Sequence, residues 1–210
     1  MIINFKFSKQ NSDKNTLIFC DLNLKINGLD QYFSKQKILE IKKNILNEKD
    51  LIKKKNFIIF NINSNQKIIV QRILENSDNF KTEKNGADLY NFLKKNLISE
   101  VSFLEKNLDV FLNKNKNFIN KFLLGLNLKS YEFVRYKTNV LLKKISIFFP
   151  KKFKRIIYTK KSKYFSLFEG IKLTKDLVSE PGNVLHPDEY VNRLKRLKSV
   201  GLKVTIFDKY

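Results

Sequence analysis

Short β-rich runs alternate with segments of helical spacing along this chain, and this alternation constrains its fold more than any other feature. It predicts an α/β fold with a mixed sheet. Strands are predicted over Ile2–Phe7, Thr16–Cys20, Phe57–Ile62, Lys67–Leu74, Glu100–Leu104 and Leu141–Phe149, and helices over Ser34–Asn47, Thr82–Asn96, Leu108–Leu124 and Tyr164–Val178.

The ends of these segments carry more specific expectations. The polar stretch Ser8–Asn15 predicts a hairpin or longer turn, so that the first two strands form edges of the sheet. Asn63–Asn65 supplies turn chemistry between the next two strands, and Pro150 ends the last one. Helix caps are predicted at Ser34 and Thr82. The apolar face of the first helix is expected to contain Ile38, Ile41, Ile45 and Leu46.

The charge of the chain is strongly one-sided, with 42 lysines and arginines against 20 acidic residues and a formal net charge of +22. Cations neutralise phosphates, so this charge favours nucleic acid as a partner. Compositional bias competes with that interpretation and is favoured, because the surplus is nearly all lysine and accompanies heavy use of Asn, Ile and Phe. Hydrophobic residues at 42% predict a chain that folds.

The densest basic run is Lys151–Lys163, with Phe153, Tyr158 and Tyr164 in or beside it. Aromatic rings among cations could stack bases while the cations hold phosphates. The alternative is a solvated loop and helix start with Ile156–Ile157 packed inward. The alternative is favoured, because no RRM-like, helix-turn-helix or zinc-finger pattern accompanies the run.

Rare residues exclude several kinds of chemistry. With Cys20 as the only cysteine and His186 as the only histidine, neither a zinc finger nor a redox Cys pair can form. Cys20 is predicted to be a buried strand thiol, which suits a reducing compartment. His186 precedes Pro187 and is predicted to have a structural role at a helix N-cap rather than to act as a base or ligand. The glycines are too widely spaced for a phosphate-binding loop.

The apolar runs are short. None approaches the span of about 20 residues that a membrane helix needs. The first residues, MIINFKF, also lack the long apolar core of a secretory signal. A cytoplasmic protein with no membrane partner is therefore expected.

The last 24 residues carry clear signals for a helix followed by a strand. Pro187 suits the first helical position, and Asp188 with Glu189 lies at the positive end of the helix dipole. Gly201 is expected to stop the helix, and Leu202–Phe207 is predicted to form a strand. This pair would open a further α/β layer whose neighbours are not present in the sequence.

Two motifs resemble the leucyl aminopeptidase (cytosol aminopeptidase) family. The segment EGIKLTKDLVSEPGNVLHPDEY resembles the start of its catalytic domain, with departures at Lys175, Ser179 and His186. The segment FLLGLNLKSYEFVRYKT resembles an element near the end of its N-terminal domain, and the order and separation of the two motifs also agree. The matching residues are Leu124, Gly125, Phe133, Tyr136, Lys137, Thr138, Glu169, Gly170, Asp176, Leu177, Val178, Glu180, Pro181, Asn183, Leu185 and Pro187.

The resemblance implies a macro-like α/β N-terminal domain over residues 1–150, a basic loop and linker helix over 151–186, and a truncated start of an α/β catalytic domain over 187–210. It also implies a hexameric metallo-exopeptidase that acts on peptides with a free N-terminus, using two divalent metals, zinc or manganese. The family's metal ligands and catalytic residues lie beyond the point that matches Tyr210. The chain alone is therefore expected to bind no cofactor and to be inactive.

The carboxylates that are present could in principle replace the missing ligands. Asp176 and Glu180 are four residues apart and could share a helix face, and Asp188 with Glu189 begins the next helix. Surface or capping roles are favoured for all four, so no catalytic, substrate-binding or metal residue is predicted in this chain. A standalone basic nucleic-acid-binding module and a regulatory or assembly subunit remain as alternative functions.

Overall fold

The computed structural model describes residues 2–8, 14–63, 65–73, 79–138, 144–157 and 162–207. The chain divides into two compact units, Met1–Phe168 and Glu169–Tyr210. The domain boundaries predicted at residues 150 and 186 stay predictions. Within the described ranges, each helix is too short or too polar to cross a membrane.

A six-stranded mixed sheet forms the centre of the first unit, and its strand order is β1-β6-β5-β2-β4-β3. Neighbouring strands are parallel except β3 and β4, which form an antiparallel pair joined by the predicted turn. The predicted α/β mixed-sheet class is confirmed. The strands are β1 (Ile2–Ser8), β2 (Thr16–Cys20), β3 (Phe57–Asn61), β4 (Lys67–Arg72), β5 (Glu100–Phe103) and β6 (Lys144–Pro150).

In the described part of the chain, seven α-helices connect or follow the strands, with short 3-10 helices over Lys151–Arg155 and Arg196–Val200. Ser34 caps the first helix as predicted, because its hydroxyl accepts a hydrogen bond of 3.2 Å from the Lys37 backbone N–H. The helices are α1 (Lys35–Asn47), α2 (Lys49–Lys55), α3 (Asn79–Lys95), α4 (Glu105–Lys114), α5 (Phe118–Ser130), α6 (Lys163–Ser179) and α7 (Pro187–Lys195).

Two apolar clusters lie on opposite faces of the sheet. Successive residues of a strand point to opposite faces, so Leu17 and Phe19 of β2 join the cluster that contains α3 and α5. Ile18 and Cys20 join the other cluster, with α1 and α2. Cys20 is completely buried, as predicted, and burial raises the pKa of its thiol to about 12.

Of the hairpin or longer turn predicted over Ser8–Asn15, the hairpin is wrong, and so is the edge position predicted for the second strand, whereas β1 is an edge strand as predicted. β1 and β2 are not neighbours, because β6 and β5 lie between them, and β2 is an interior strand. The edges of the sheet are β1 and β3. Residues 9–13 of the polar stretch lie outside the described residues. The strand runs were recognised correctly, but the pairing of β1 with β6 and of β2 with β5 joins residues more than 80 positions apart.

The long helix predicted over Leu108–Leu124 is two helices, α4 and α5. Asn115 between them has an extended backbone, and its side-chain oxygen accepts a hydrogen bond of 2.9 Å from the Asn117 N–H. Asparagine side chains compete with helical hydrogen bonding in this way. The cap predicted at Thr82 is also wrong, because α3 begins at Asn79 and buries Thr82.

Two further expectations fail for tertiary reasons. Leu46 is 62% exposed, because it lies beside the three isoleucines that face the sheet rather than among them. The strand predicted over Leu202–Phe207 is irregular, and within the described residues no strand pairs with it. A strand needs a neighbour to satisfy its backbone groups. Helix α2 was not predicted.

Candidate functional site

The family-like segment in the second unit forms a helix, a turn and a second helix. α6 ends at Ser179, and Pro181 begins a turn in which its carbonyl accepts hydrogen bonds of 2.9 Å from the Val184 and Leu185 N–H groups. α7 begins at Pro187 with His186 at the N-cap, as predicted. The His186 side chain makes no cap hydrogen bond.

A buried ion pair connects the turn to α7. The Glu180 side chain is fully buried, and one of its oxygens accepts a hydrogen bond of 2.9 Å from Arg193 Nη1. Arg193 Nε donates to Glu189 at 2.9 Å as well. The surface or capping role predicted for Glu180 is therefore wrong: its carboxylate is held inside the second unit by an arginine.

The other three carboxylates lie where the sequence predicts. Asp188 and Glu189 occupy the first turn of α7, and Asp176 lies in α6. The hydrogen bond from Arg193 lowers the pKa of Glu189. The four-residue spacing between Glu189 and Arg193 is a sequence signal that could have found this bond, whereas the contact of Arg193 with Glu180, 13 residues away, leaves no such signal.

This arrangement does not fit a divalent metal. Hard cations need several converging oxygen ligands. Glu180 and Glu189 instead both bind the guanidinium of Arg193, which already neutralises their charge. Over the described ranges, no three His, Cys, Asp or Glu side chains gather closely enough to hold a metal ion.

The upstream motif, Phe122–Thr138, contributes to packing. Gly125 of α5 faces the Glu83 carbonyl of α3, and Gly86 of α3 faces the Phe122 carbonyl of α5, each so closely that a Cβ atom would collide with backbone. The two helices therefore approach at a pair of glycines. The later motif residues Phe133 and Tyr136 lie in a surface loop with ring centres 5.8 Å apart.

The basic run packs against α4 and α5. Lys152 binds Glu105 at 2.9 Å and Asp109 at 2.5 Å. Phe153 and Ile157 are buried, and Ile156 is 48% exposed. The inward packing predicted for Ile156–Ile157 is therefore confirmed for Ile157 and wrong for Ile156. Tyr158 lies outside the described residues.

Burial also decides whether the aromatic residues of this run can stack bases. Phe153 is only 2% exposed and Tyr164 only 8% exposed, so neither ring presents a face to a ligand. The aromatic contribution that a nucleic-acid interface would need is therefore missing from the described part of the run.

The switch point of the sheet, where small ligands commonly bind in α/β folds, lies between β2 and β5. Here β5 is short, and the Asn107 side chain extends the pairing: it accepts from the Phe19 N–H at 2.8 Å and donates to the Phe19 carbonyl at 3.0 Å. Asn107 also donates to the Asn27 carbonyl, and Gly28, with φ of +74°, packs on the backbone of Lys106–Asn107. The chain's own loop occupies this position.

Comparisons with known proteins give a consistent result, although no family model matches the chain. A probable cytosol aminopeptidase of Phytoplasma australiense is 33% identical over 90 residues, which are 42% of this chain and 18% of that protein. The homologous protein of Phytoplasma mali is 34% identical over 99 residues, covering 43% and 20%. The chain thus matches about a fifth of the length of these relatives.

Solved structures extend the likeness in fold. A mutant of tomato leucine aminopeptidase has a TM-score of 0.61 at 14% identity, over 95% of this chain and 42% of that chain. The cytosol aminopeptidase of Coxiella burnetii has a TM-score of 0.60 at 15% identity, over 99% and 40%. The resemblance to the leucyl aminopeptidase family that the two motifs predict is therefore confirmed, in sequence over part of the chain and in fold over nearly all of it.

Proposed function

We propose that this chain is the N-terminal portion of a leucyl-aminopeptidase-like metallo-exopeptidase, which releases N-terminal amino acids from peptides. The observation that carries the proposal is the joint likeness to cytosol aminopeptidases, at 33% identity over 90 residues and with a TM-score of 0.61 over 95% of the chain. The order of the two motifs supports it. The relatives are named aminopeptidases, so peptides with a free N-terminus are the proposed substrates.

In such an enzyme, two divalent metals, zinc or manganese, would polarise the peptide carbonyl and activate the attacking water. The described residues of this chain contribute none of that chemistry. Their role would be to provide a stable α/β domain and to fix the start of the catalytic part. Arg193 would contribute to the second role, because its bonds to Glu180 and Glu189 connect the turn to α7.

A peptidase assay tests directly whether this chain lacks the metal site. The 210-residue chain is incubated with leucine p-nitroanilide and added Mn²⁺ or Zn²⁺, and release of nitroaniline is followed. No turnover above buffer is expected, because Glu180 and Glu189 already bind Arg193 and the family's metal ligands lie beyond Tyr210. Turnover that is abolished by a chelator would overturn the claim that this chain lacks the metal site.

The family-level proposal needs a second test, on the gene. The sequence downstream of codon 210 is expected to continue an open frame that encodes V-G-Q-G-S and N-T-D-A-E-G-R, the family motifs that carry metal and catalytic groups. The longer product should hydrolyse leucine p-nitroanilide only with metal present. A downstream sequence without these motifs, or a longer product that stays inactive with metal, would contradict the proposal.

We also propose that the complete protein is a cytoplasmic homohexamer. The names of the relatives support the location, and the family resemblance supports the assembly. Sedimentation of the longer product should give about six times the monomer mass, and a monomer at micromolar concentration would contradict the assembly.

A further inference from the structure

A cleft of about 510 Å³ runs along the free edge of the sheet at β3. Its floor is the strand segment Phe57–Phe60. One wall comes from the end of α1 and from α2, which supplies Leu51 and Lys55. The opposite wall comes from the end of α3, which supplies Phe92 and Lys95. The edge strand therefore lies at the bottom of a groove between two helical layers.

The backbone of β3 has hydrogen-bonding capacity on its open side. The ladder to β4 is flanked by bonds from the Arg72 N–H to the Asn56 carbonyl and from the Ile62 N–H to the Gln66 carbonyl. In an antiparallel pair, residues that bond to the partner strand alternate with residues that do not. The backbone N–H and carbonyl groups of Phe57, Ile59 and Asn61 therefore point away from β4. Within the described ranges, no strand pairs with β3 on this side. Unpaired edges of this kind accept added strands.

Apolar side chains form both walls beside this edge. The rings of Phe57 and Phe92 stack at a centroid distance of 4.5 Å with 13° between their planes. Leu51 on the other wall is 37% exposed, and Ile59 and Phe60 are half-buried. Side chains of an added strand would point alternately toward the two walls and cover these surfaces.

The charge at the ends of the walls is positive. The last turn of α2 contains Lys53, Lys54 and Lys55, and the last turn of α3 contains Lys94 and Lys95. A helix end supplies only about half a negative charge, and Lys94 is the one of these lysines that binds an acidic residue, Glu132, in the described structure. Of the described residues that line the cleft, Glu48 alone is acidic. The groove is therefore complementary to an acidic segment.

The same charges argue against a second copy of this chain in the groove. Two β3 edges paired across a two-fold axis would bring the lysines of both copies together. The chain carries a formal net charge of +22, so its own segments offer little compensation. Like charges brought close together oppose association.

We propose that the β3 edge groove binds an extended acidic segment of another protein, which pairs with β3 as an additional strand. Backbone bonds to Phe57, Ile59 and Asn61 supply the pairing, and the lysines at the ends of α2 and α3 select for acidic residues. This inference does not depend on the proposed peptidase function, since the groove lies wholly within the first unit.

The test measures binding of a fluorescent peptide, acetyl-Asp-Glu-Val-Thr-Val-Glu-Asp-amide, to the 210-residue chain by anisotropy. The chain variant Asn61→Pro removes one outward N–H and no ladder bond, so an edge strand tolerates it. Asn61→Ala is its control.

A second pair of variants tests the charge. The double variant Lys55→Glu with Lys95→Glu reverses the charge at the groove, and Lys42→Glu with Lys43→Glu makes the same charge change on the exposed side of α1.

The peptide is expected to bind the unmodified chain saturably, with a Kd below about 1 mM. The Asn61→Pro and Lys55/Lys95 variants should each weaken this binding at least about tenfold, while their controls change it less than about twofold. A peptide N-methylated at its central residues should not bind. Absence of saturable binding, equal binding of the N-methylated peptide, or self-association of the chain that Asn61→Pro abolishes would each overturn the proposal.

Discussion

The two units of the chain are stabilised in different ways. The first unit buries apolar side chains on both faces of its sheet, whereas the only buried residue among the described positions 169–207 is the charged Glu180. In the second unit, Val178 is 81% exposed and Phe207 is 89% exposed. The hydrophobic effect thus dominates the first unit, while a backbone-bonded turn, a proline start and an arginine ion pair organise the second. The comparison predicts that similar substitutions have different effects in the two units.

The largest difference is expected for phenylalanine. The ring of Phe19 is fully buried, and its centroid lies 5.3 to 5.6 Å from those of four other phenylalanines. Phe19→Ala should lower the free energy of unfolding by about 3–5 kcal/mol, measured by urea denaturation. Phe207→Ala is the matched change in the second unit and should alter it by less than about 0.5 kcal/mol. Equal effects would remove the contrast between the units.

Glycine gives the next largest contrast. Gly125→Ala places a methyl group against the Glu83 backbone and should cost about 3 kcal/mol, because helix backbones move less readily than side chains. Gly170→Ala in α6 meets nothing within 4 Å and should stabilise its helix by about 0.5–1 kcal/mol. Thermal unfolding followed by circular dichroism measures both. A stable Gly125→Ala variant would show that α3 and α5 can separate without cost.

The ion pair of the second unit is expected to have an intermediate effect. Glu180→Gln leaves the mostly buried Arg193 with one acidic partner instead of two and should loosen the turn by about 1–3 kcal/mol. Faster amide exchange in α7 and faster proteolysis near Pro187 are the readouts. Glu189→Gln, at a more exposed position, should have a smaller effect. If the two variants behave alike, burial of Glu180 is not what stabilises the turn.

The last expected effect appears only at alkaline pH and is due to Cys20. Its folded pKa is raised to about 12 from an ordinary value of 9.0, so the folded state keeps a proton that the unfolded state loses. This contribution is fully present below pH 9 and is lost as the pH rises toward 12. A Cys20→Ala variant should therefore show a shallower loss of stability above pH 9. An identical slope in both proteins would contradict the burial of the thiol.

Local signals predicted much of this fold, and contacts distant in sequence account for most of the errors. The Ser34 cap and the Pro187 start depend on neighbouring residues and were predicted correctly. The neighbours of β2 were not predicted correctly, because the alternation of apolar residues along a strand indicates which residues are buried but not which strand lies beside it. The break in the helix predicted over Leu108–Leu124 is an exception, because it is local: the Asn115 side chain accepts a bond from the Asn117 N–H.

The candidate site was predictable in the same uneven way. The motif residues identified the family resemblance and the turn, yet the partner of Glu180 lies 13 residues away without a periodic relation to it. Asn107, whose side chain bonds to the backbone of β2, belongs to α4, and the predicted helix began one residue after it. Side chains that bond across the fold leave no pattern in a single sequence.

Hydrogen exchange resolved along the 210-residue chain tests the contrast between the units most directly. Amides of the interior strands β2, β4, β5 and β6 should exchange only through global unfolding of the first unit, whereas those of α7 should exchange at least about a hundredfold faster through local opening. The Glu180→Gln variant should speed exchange in α7 alone. Protection in α7 equal to that of the interior strands would contradict the account that the described residues 169–207 form no apolar core.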